Sequence, residues 1–188
     1  MNYDLIIVGS GPAGIFTALE LIKRGTKKKM LLIEKGKPVE KRHCPKAEVG
    51  HCVNCKPSCA ITTGFSGAGA FSDGKYNITN DFGGTLYEYI GKKEAIDLMK
   101  YVDHINVTHG GEETRMFSTA GTKFKKLCMQ NKLKLLDASV RHLGTDINYV
   151  VLENLYNEMK EKVHFFFHTP VTHIEVLDDG YRVLYGND

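Results

Sequence analysis

The order of apolar and polar positions predicts alternating strands and helices from the first residues of the chain. Residues 5–8 (LIIV) form an apolar run that ends at Gly9, which is typical of a buried parallel strand. Residues 13–24 follow helical spacing, and residues 30–34 (MLLIE) form a second run of strand length. A strand, a helix and a strand within about 30 residues make a βαβ unit, so the pattern predicts an α/β fold with a parallel sheet.

The last third of the chain predicts a helix, a third strand and a small hairpin. An apolar stripe with helical spacing covers residues 146–159, and residues 163–167 (VHFFF) have the composition of a strand. Residues 171–176 and 181–184 alternate on either side of a turn, for which Asp179-Gly180 is the predicted dipeptide.

The middle of the chain has a different character. Regular periodicity is lost over residues 35–84, where glycine, cysteine, serine and proline are frequent, and so long a loop is most often functional. Helical spacing returns over residues 85–109 and again over 118–130, and residues 133–142 have an extended pattern.

These elements predict two domains. The first is a discontinuous α/β domain over residues 1–84 and 146–188, built on the parallel sheet and carrying a small β-hairpin or meander. The second is a mostly helical insertion over residues 85–145, which would begin a substrate domain.

Composition narrows the class of protein further. The chain has 188 residues, of which 42% are hydrophobic and 25% charged, as in globular proteins, and its net charge of +3 gives no case for a nucleic-acid partner. No apolar run approaches the roughly 20 residues of a membrane helix, and no basic residue precedes the first apolar run, as it would in a secretory signal. Five cysteines without an export signal favour a reducing compartment, so we expect a cytoplasmic protein with no membrane partner.

The segment that joins the first strand to the first helix carries the strongest chemical signal. It has the G-x-G-x-x-G pattern, formed by Gly9, Ser10, Gly11, Pro12, Ala13 and Gly14. The first glycine permits a tight turn, the second lets a pyrophosphate approach the backbone, and the third lets the helix pack close to the strand. The helix N-terminus attracts anions without any lysine, so this loop is predicted to bind the diphosphate of a dinucleotide.

An acidic residue lies where the dinucleotide fold needs one. Glu34 ends the second strand, 20 residues after Gly14, where a carboxylate meets a ribose hydroxyl. A carboxylate there repels a 2′-phosphate, which disfavours NADP at this site. These residues leave open whether the dinucleotide is FAD or NAD.

Five segments carry a family resemblance. Residues 3–21 and 31–36 resemble the start of two-dinucleotide-binding-domain flavoproteins. Residues 64–75 (GFSGAGAFSDGK), 83–91 and 140–146 resemble the FAD-dependent dehydrogenase family, also labelled NAD(FAD)-utilising dehydrogenases. The resemblance implies an FAD-dependent oxidoreductase, in which residues 1–84 and 146–188 form a Rossmann-like FAD- or NAD(P)-binding domain with an incomplete C-terminal end. NAD(P)H is the candidate electron donor.

The resemblance and the residue pattern together give the candidate cofactor site. Besides the phosphate loop, its residues are Glu34, Lys35, Arg42, Gly67, Ala68, Gly69, Ala70, Phe71, Ser72 and Val171. The resemblance places residues 67–72 along the isoalloxazine ring and the backbone of Val171 at the adenine. Arg42 is a candidate for the pyrophosphate, with a solvated loop arginine as the alternative. A flexible glycine-rich surface loop is the alternative for residues 64–75.

Length sets this chain apart from the family. Members of the family are more than twice as long as this sequence. They carry a later Gly-Asp motif at the ribityl chain of FAD, and this sequence lacks that motif. We therefore expect an N-terminal portion that needs a C-terminal fragment or a partner subunit for activity. A non-catalytic dinucleotide-binding fragment and an NAD-linked dehydrogenase are the alternatives.

Four cysteines form a separate cluster within the long loop. Cys44, Cys52, Cys55 and Cys59 follow the spacing C-x7-C-x2-C-x3-C, which could ligate zinc or an iron–sulfur cluster. Two alternatives stay open. One is a redox dithiol formed by Cys52 and Cys55, and the other is four reduced thiols without a ligand.

Overall fold

A computed structural model describes residues 1–56 and 58–186 of the protein. The chain divides into two compact units. The first unit consists of Met1–Phe71 and Leu152–Asp188, and the second of Ser72–Val151. The two units thus separate at residues 71/72 and 151/152, whereas the sequence predicts a division near residues 84 and 146.

Within the described residues the chain forms eight strands and six α-helices. In chain order they are β1 (Leu5–Val8), α1 (Pro12–Lys23), β2 (Met30–Ile33), α2 (Lys46–Val49), β3 (Lys75–Ile78), α3 (Leu86–Ile90), α4 (Lys92–Asn106), β4 (Met116–Ser118), α5 (Lys123–Gln130), β5 (Ser139–His142), α6 (Gly144–Met159), β6 (Val163–Phe166), β7 (Val171–Leu177) and β8 (Gly180–Tyr185). Short 3-10 turns cover Val39–Lys41 and Gly67–Phe71, and a π turn covers Val107–Gly111.

A parallel sheet is the centre of the first unit and confirms the predicted fold class. Its strand order is β1-β2-β6, and all pairs are parallel. Every residue of the central strand β2 is buried. Helix α1 contributes a buried apolar stripe formed by Ile15, Ala18, Leu19 and Ile22. This stripe has the helical spacing that the sequence predicts, because one face of an amphipathic helix packs against the core.

Strand β1 differs from its prediction as a buried strand. It lies at the edge of the sheet, and Val8 at its end is 51% exposed. The reason is topological. Only β2 pairs with β1 among the described residues, so an apolar run that suits a central strand has one open side.

The hairpin is confirmed, with a correction to its turn. Strands β7 and β8 are antiparallel, and Leu177 pairs with Gly180. Asp178 and Asp179 therefore form the two-residue turn, one position earlier than predicted. Gly180, with a φ of 159°, is the first residue of β8.

The second unit contains the predicted helices together with a sheet that the sequence did not reveal. The antiparallel sheet has the order β3-β5-β4. The helix predicted over residues 85–109 is divided at Gly91, whose φ of 91° separates α3 from α4. No described helix is both long and apolar enough to cross a bilayer.

A largely buried ion pair joins α4 to β5 within the second unit. Arg141 donates to both carboxylate oxygens of Asp103, at 2.6 and 2.9 Å, and also to the carbonyl oxygen of Thr114. The two side chains are 12% and 11% exposed. This bidentate geometry gives Arg141 a structural role in the second unit.

Candidate functional site

The phosphate loop leaves β1 through a turn that only glycine adopts easily. Gly9 has a φ of 96°, and its N–H donates to the carbonyl oxygen of Ile33 at 2.7 Å. Gly11 is the N-cap of α1 and Pro12 its first residue. The helix has no side-chain cap and no acidic residue in its first turn. No side chain of its own cap or first turn therefore offsets the N-terminal dipole of α1, which favours an anion.

The second and third glycines of the loop have different surroundings. A Cβ added to Gly14 would lie 2.1 Å from the carbonyl oxygen of Gly9, so α1 packs directly on the end of β1. A Cβ added to Gly11 would meet no atom within 4 Å. The space beside Gly11 is thus open, and a side chain would fill it. The residues present fit the diphosphate of a dinucleotide at this position.

Glu34 lies buried beside the loop with its carboxylate fixed from two sides. Its Oε2 accepts the backbone N–H and the hydroxyl of Ser10, both at 2.8 Å, and its Oε1 accepts the N–H of Gly36 at 2.8 Å. Glu34 is 6% exposed and Ser10 is fully buried. A carboxylate has about four acceptor positions, and these three hydrogen bonds occupy three of them. The remaining position can accept a ribose hydroxyl.

The second glycine-rich segment lies directly against the phosphate loop. The N–H of Ser66 donates to the carbonyl oxygen of Ser10 at 2.7 Å. A Cβ on Gly67 would lie 4.0 Å from the Cα of Gly11. Ser66 has a φ of 67°, a left-handed conformation that is uncommon for a residue with a side chain and is often found at functional sites. The fold therefore brings two predicted segments, 56 residues apart in sequence, into contact.

An aromatic anchor orders the second segment. Phe65 is fully buried, and its ring lies 5.5 Å from that of Tyr156 and 6.3 Å from that of Phe165. Such packing on α6 and β6 disfavours the alternative of a flexible surface loop.

The other candidate residues occupy varied positions. Ala68, Gly69, Ala70 and Phe71 belong to the 3-10 turn that begins at Gly67. Lys35 is exposed, Ser72 is the first residue of the second unit, and Val171 begins β7 and pairs with Tyr185. Arg42, predicted at the pyrophosphate or in solvent, is 6% exposed and donates to backbone carbonyl oxygens of the same loop.

Sequence reasoning missed two residues that support Glu34 through their backbone. Gly36 donates to the carboxylate, and Thr169 donates its N–H to the carbonyl oxygen of Glu34 at 3.0 Å. Backbone contacts of this kind leave no signal in residue type. The short spacing between Glu34 and Gly36 is the one hint that the sequence offers.

The four clustered cysteines do not form a metal site in the part of the chain that is described. Cys44 and Cys55 are half-buried, and Cys52 and Cys59 are exposed. No three His, Cys, Asp or Glu side chains among the described residues are placed to hold one ion. The predicted zinc or iron–sulfur site therefore has no geometric support, because ligands close in sequence are not gathered in space.

Cys59 is expected to be the most reactive exposed thiol. Hydrogen bonds from the backbone of Thr62 and Ile61 and from the Thr62 hydroxyl lower the pKa of Cys59, with a smaller contribution from the charge of Arg42. A lowered pKa raises the thiolate fraction at neutral pH, and the thiolate is the nucleophile. Alkylation by iodoacetamide at pH 7, followed by peptide mass spectrometry, should label Cys59 several-fold faster than the exposed Cys52.

A second variant tests the stated cause of this reactivity. Thr62→Val removes the hydroxyl donor and should slow the labelling of Cys59 while leaving that of Cys52 unchanged. Equal labelling rates for the two cysteines in the unaltered chain would contradict the proposed effect of the hydrogen bonds.

The fold and the site define a dinucleotide-binding domain of the Rossmann type. A parallel sheet, a glycine-rich turn into a helix N-terminus and an acid at the end of β2 are its components. Residues 4–185 match the family model described as FAD binding domain. The chain belongs to this FAD-binding domain family.

Solved structures similar to this chain include several enzymes. Glycine oxidase from Geobacillus kaustophilus is 16% identical with a TM-score of 0.49, over 96% of this chain and 50% of that one. NikD, an amino acid oxidase of nikkomycin biosynthesis, is 13% identical with a TM-score of 0.45, over 97% and 47%. The Diels–Alderase PyrE3 of pyrroindomycin biosynthesis is 16% identical with a TM-score of 0.43, over 97% and 29%.

The present chain thus spans half or less of the length of these three structures. Among curated proteins, none matches the chain at a significant level.

Proposed function

We propose that this chain binds FAD and forms the cofactor-binding part of an FAD-dependent oxidoreductase of the dehydrogenase type. The observation that carries the proposal is the hydrogen bond from Ser66 to Ser10, at 2.7 Å. It joins the phosphate loop to the second glycine-rich segment, so that the backbone of Gly67 lies close to the backbone of Gly11. A dinucleotide with a large flat ring system needs such close access to backbone.

Each part of the cofactor has its own proposed contacts. The pyrophosphate lies at the N-terminus of α1, in the open space beside Gly11. The adenosine ribose donates a hydroxyl to Glu34, and the backbone of Val171 holds the adenine. Residues 67–72 lie along the flavin. Membership of the FAD-binding family supports FAD over NAD as the occupant.

The chain's own residues bind and orient the cofactor. Bound FAD supplies the capacity for hydride and electron transfer. The helix N-terminus offsets the charge of the diphosphate, and the Glu34 carboxylate repels a 2′-phosphate at this position. We propose NAD(P)H as the electron donor and a C-terminal fragment or partner subunit as the source of the remaining active-site groups.

Equilibrium dialysis of the purified chain against FAD, FMN, NAD⁺ and ADP tests the binding proposal. We expect FAD to bind, ADP to compete with it because ADP carries the adenosine and diphosphate, and FMN to bind at least about tenfold more weakly. Binding of NAD⁺ without FAD would favour the NAD-linked alternative. No binding of any of the four would refute the site. Anaerobic addition of NADH or NADPH to the FAD-loaded chain should bleach the flavin, and unchanged absorbance would contradict the proposed electron donor.

A further inference from the structure

Arg42 is one of the few charged side chains that the first unit buries. It follows the 3-10 turn Val39–Lys41 and is 6% exposed. Its three guanidinium nitrogens donate to three carbonyl oxygens: Nε to Ala60 at 2.9 Å, one terminal nitrogen to Phe65 at 2.5 Å and the other to Ile61 at 2.5 Å. The planar guanidinium thus donates hydrogen bonds in three directions to the backbone of one loop.

The charge of Arg42 is compensated by this loop rather than by a close ion pair. Burial lowers the pKa of Arg42, and attraction to Glu34 and Cys59 offsets part of this effect. An arginine remains charged in proteins in spite of such a shift. A buried charge must be hydrogen-bonded, and the carbonyl oxygens of residues 60, 61 and 65 meet that requirement.

The contacts of Arg42 bracket the segment proposed to lie along the flavin. At one end is the carbonyl of Phe65, next to Ser66, whose N–H bonds to Ser10. At the other end is Phe71, whose ring centroid lies 4.8 Å from the guanidinium carbon. A Cβ on Gly64 would approach the Cδ of Arg42 to 2.9 Å, so the loop and the arginine are closely packed.

We propose that Arg42 is a positioning residue that holds residues 60–71 in the shape required by FAD, rather than a ligand of the pyrophosphate. This inference rests on the proposed FAD-binding function. The two roles make different demands on the side chain. A phosphate contact needs a positive charge, which lysine also supplies as a point charge. Three bonds to carbonyl oxygens in separate directions need the guanidinium fork.

Two substitutions separate these roles. Arg42→Lys keeps the charge and loses the fork, and Arg42→Met loses both. If Arg42 positions the loop, both variants should weaken FAD binding by about tenfold or more, as expected for the loss of charged hydrogen bonds. Both should also change the visible circular dichroism of the bound flavin at saturating FAD. If Arg42 contacts the phosphate, Arg42→Lys should stay close to the unaltered chain.

Amide hydrogen exchange measures how firmly the loop is held when no cofactor is bound. The N–H groups of Phe65 and Ser66 bond to Lys37 and Ser10 at 3.0 and 2.7 Å, and both should exchange about tenfold faster in each Arg42 variant. The amides of α1 should remain protected. Arg141→Met, which removes an arginine with a 12% exposed side chain from the second unit, is the matched control. It should lower stability without changing the exchange of Phe65 and Ser66 or the spectrum of bound flavin.

The outcomes are distinguishable. Loop exchange and FAD affinity close to those of the unaltered chain in Arg42→Lys would overturn the positioning role. Failure of the unaltered chain to bind FAD would refute the proposed function, while the exchange experiment still tests the hold on the loop. Should the Arg42 variants fail to fold, Phe71→Leu removes the ring on which the guanidinium of Arg42 lies. Because Phe71 also belongs to the segment proposed to lie along the flavin, this variant is tested by hydrogen exchange without cofactor. The N–H groups of Phe65 and Ser66 should exchange faster in it, and unchanged exchange would count against the role.

Discussion

Replacing Gly11 by valine is expected to abolish retention of FAD and leave the chain folded. Gly11 has a φ of −68° and a ψ of 176°, which a residue with a side chain adopts without strain. No atom lies within 4 Å of the position its Cβ would take. Valine is a poor N-cap and should cost about 1 kcal/mol of stability. Its branched side chain would, however, fill the space in which the pyrophosphate approaches the helix N-terminus.

We expect the affinity for FAD to fall at least about 100-fold, equivalent to about 2.8 kcal/mol. Flavin absorbance of the purified chain and a dialysis titration measure the loss, and far-ultraviolet circular dichroism checks the fold. Thr17→Val is the matched control, since Thr17 is exposed on α1 and valine has nearly the same shape. Normal FAD content in Gly11→Val would mean that the diphosphate lies elsewhere.

The phosphate loop could be predicted from sequence because all of its signals are local. A strand, three spaced glycines, a helix and Glu34 follow one another within about 30 residues, the size of one βαβ unit. The structure confirms the strand, the turn and the helix, with boundaries within one residue of the prediction. Local backbone geometry decides these features, so residue type and spacing are enough.

Features that depend on distant contacts could not be predicted. The hydrogen bond of Ser66 to Ser10 joins residues that are 56 apart in sequence, and the three bonds of Arg42 join residues that are 18 to 23 apart. Strands β3 and β4 have four and three residues, too short for an alternating pattern, and their pairing with β5 supplies the sheet. The cysteines illustrate the opposite error, in which close spacing in sequence does not bring side chains together.

Replacing Gly14 by alanine should damage the fold itself, although only one methyl group is added. Its Cβ would lie 2.1 Å from the carbonyl oxygen of Gly9 and 3.3 Å from Cγ2 of Ile7. Gly9 cannot move away easily, because its N–H is bonded to Ile33 in the neighbouring strand. Helix α1 would instead move off the sheet and expose its buried stripe. We expect a loss of about 3 kcal/mol, a large share of the roughly 5–15 kcal/mol that stabilises a typical domain.

Urea denaturation followed by circular dichroism measures this loss as a lower midpoint. Gly11→Ala is the control within the same loop, since its Cβ meets no atom and its backbone is compatible with alanine. It should change stability by no more than about 1 kcal/mol. The two alanine variants therefore separate the glycine that lets the helix approach the strand from the glycine that leaves room for a ligand. Similar midpoints for both would show that α1 does not pack on β1 as closely as described.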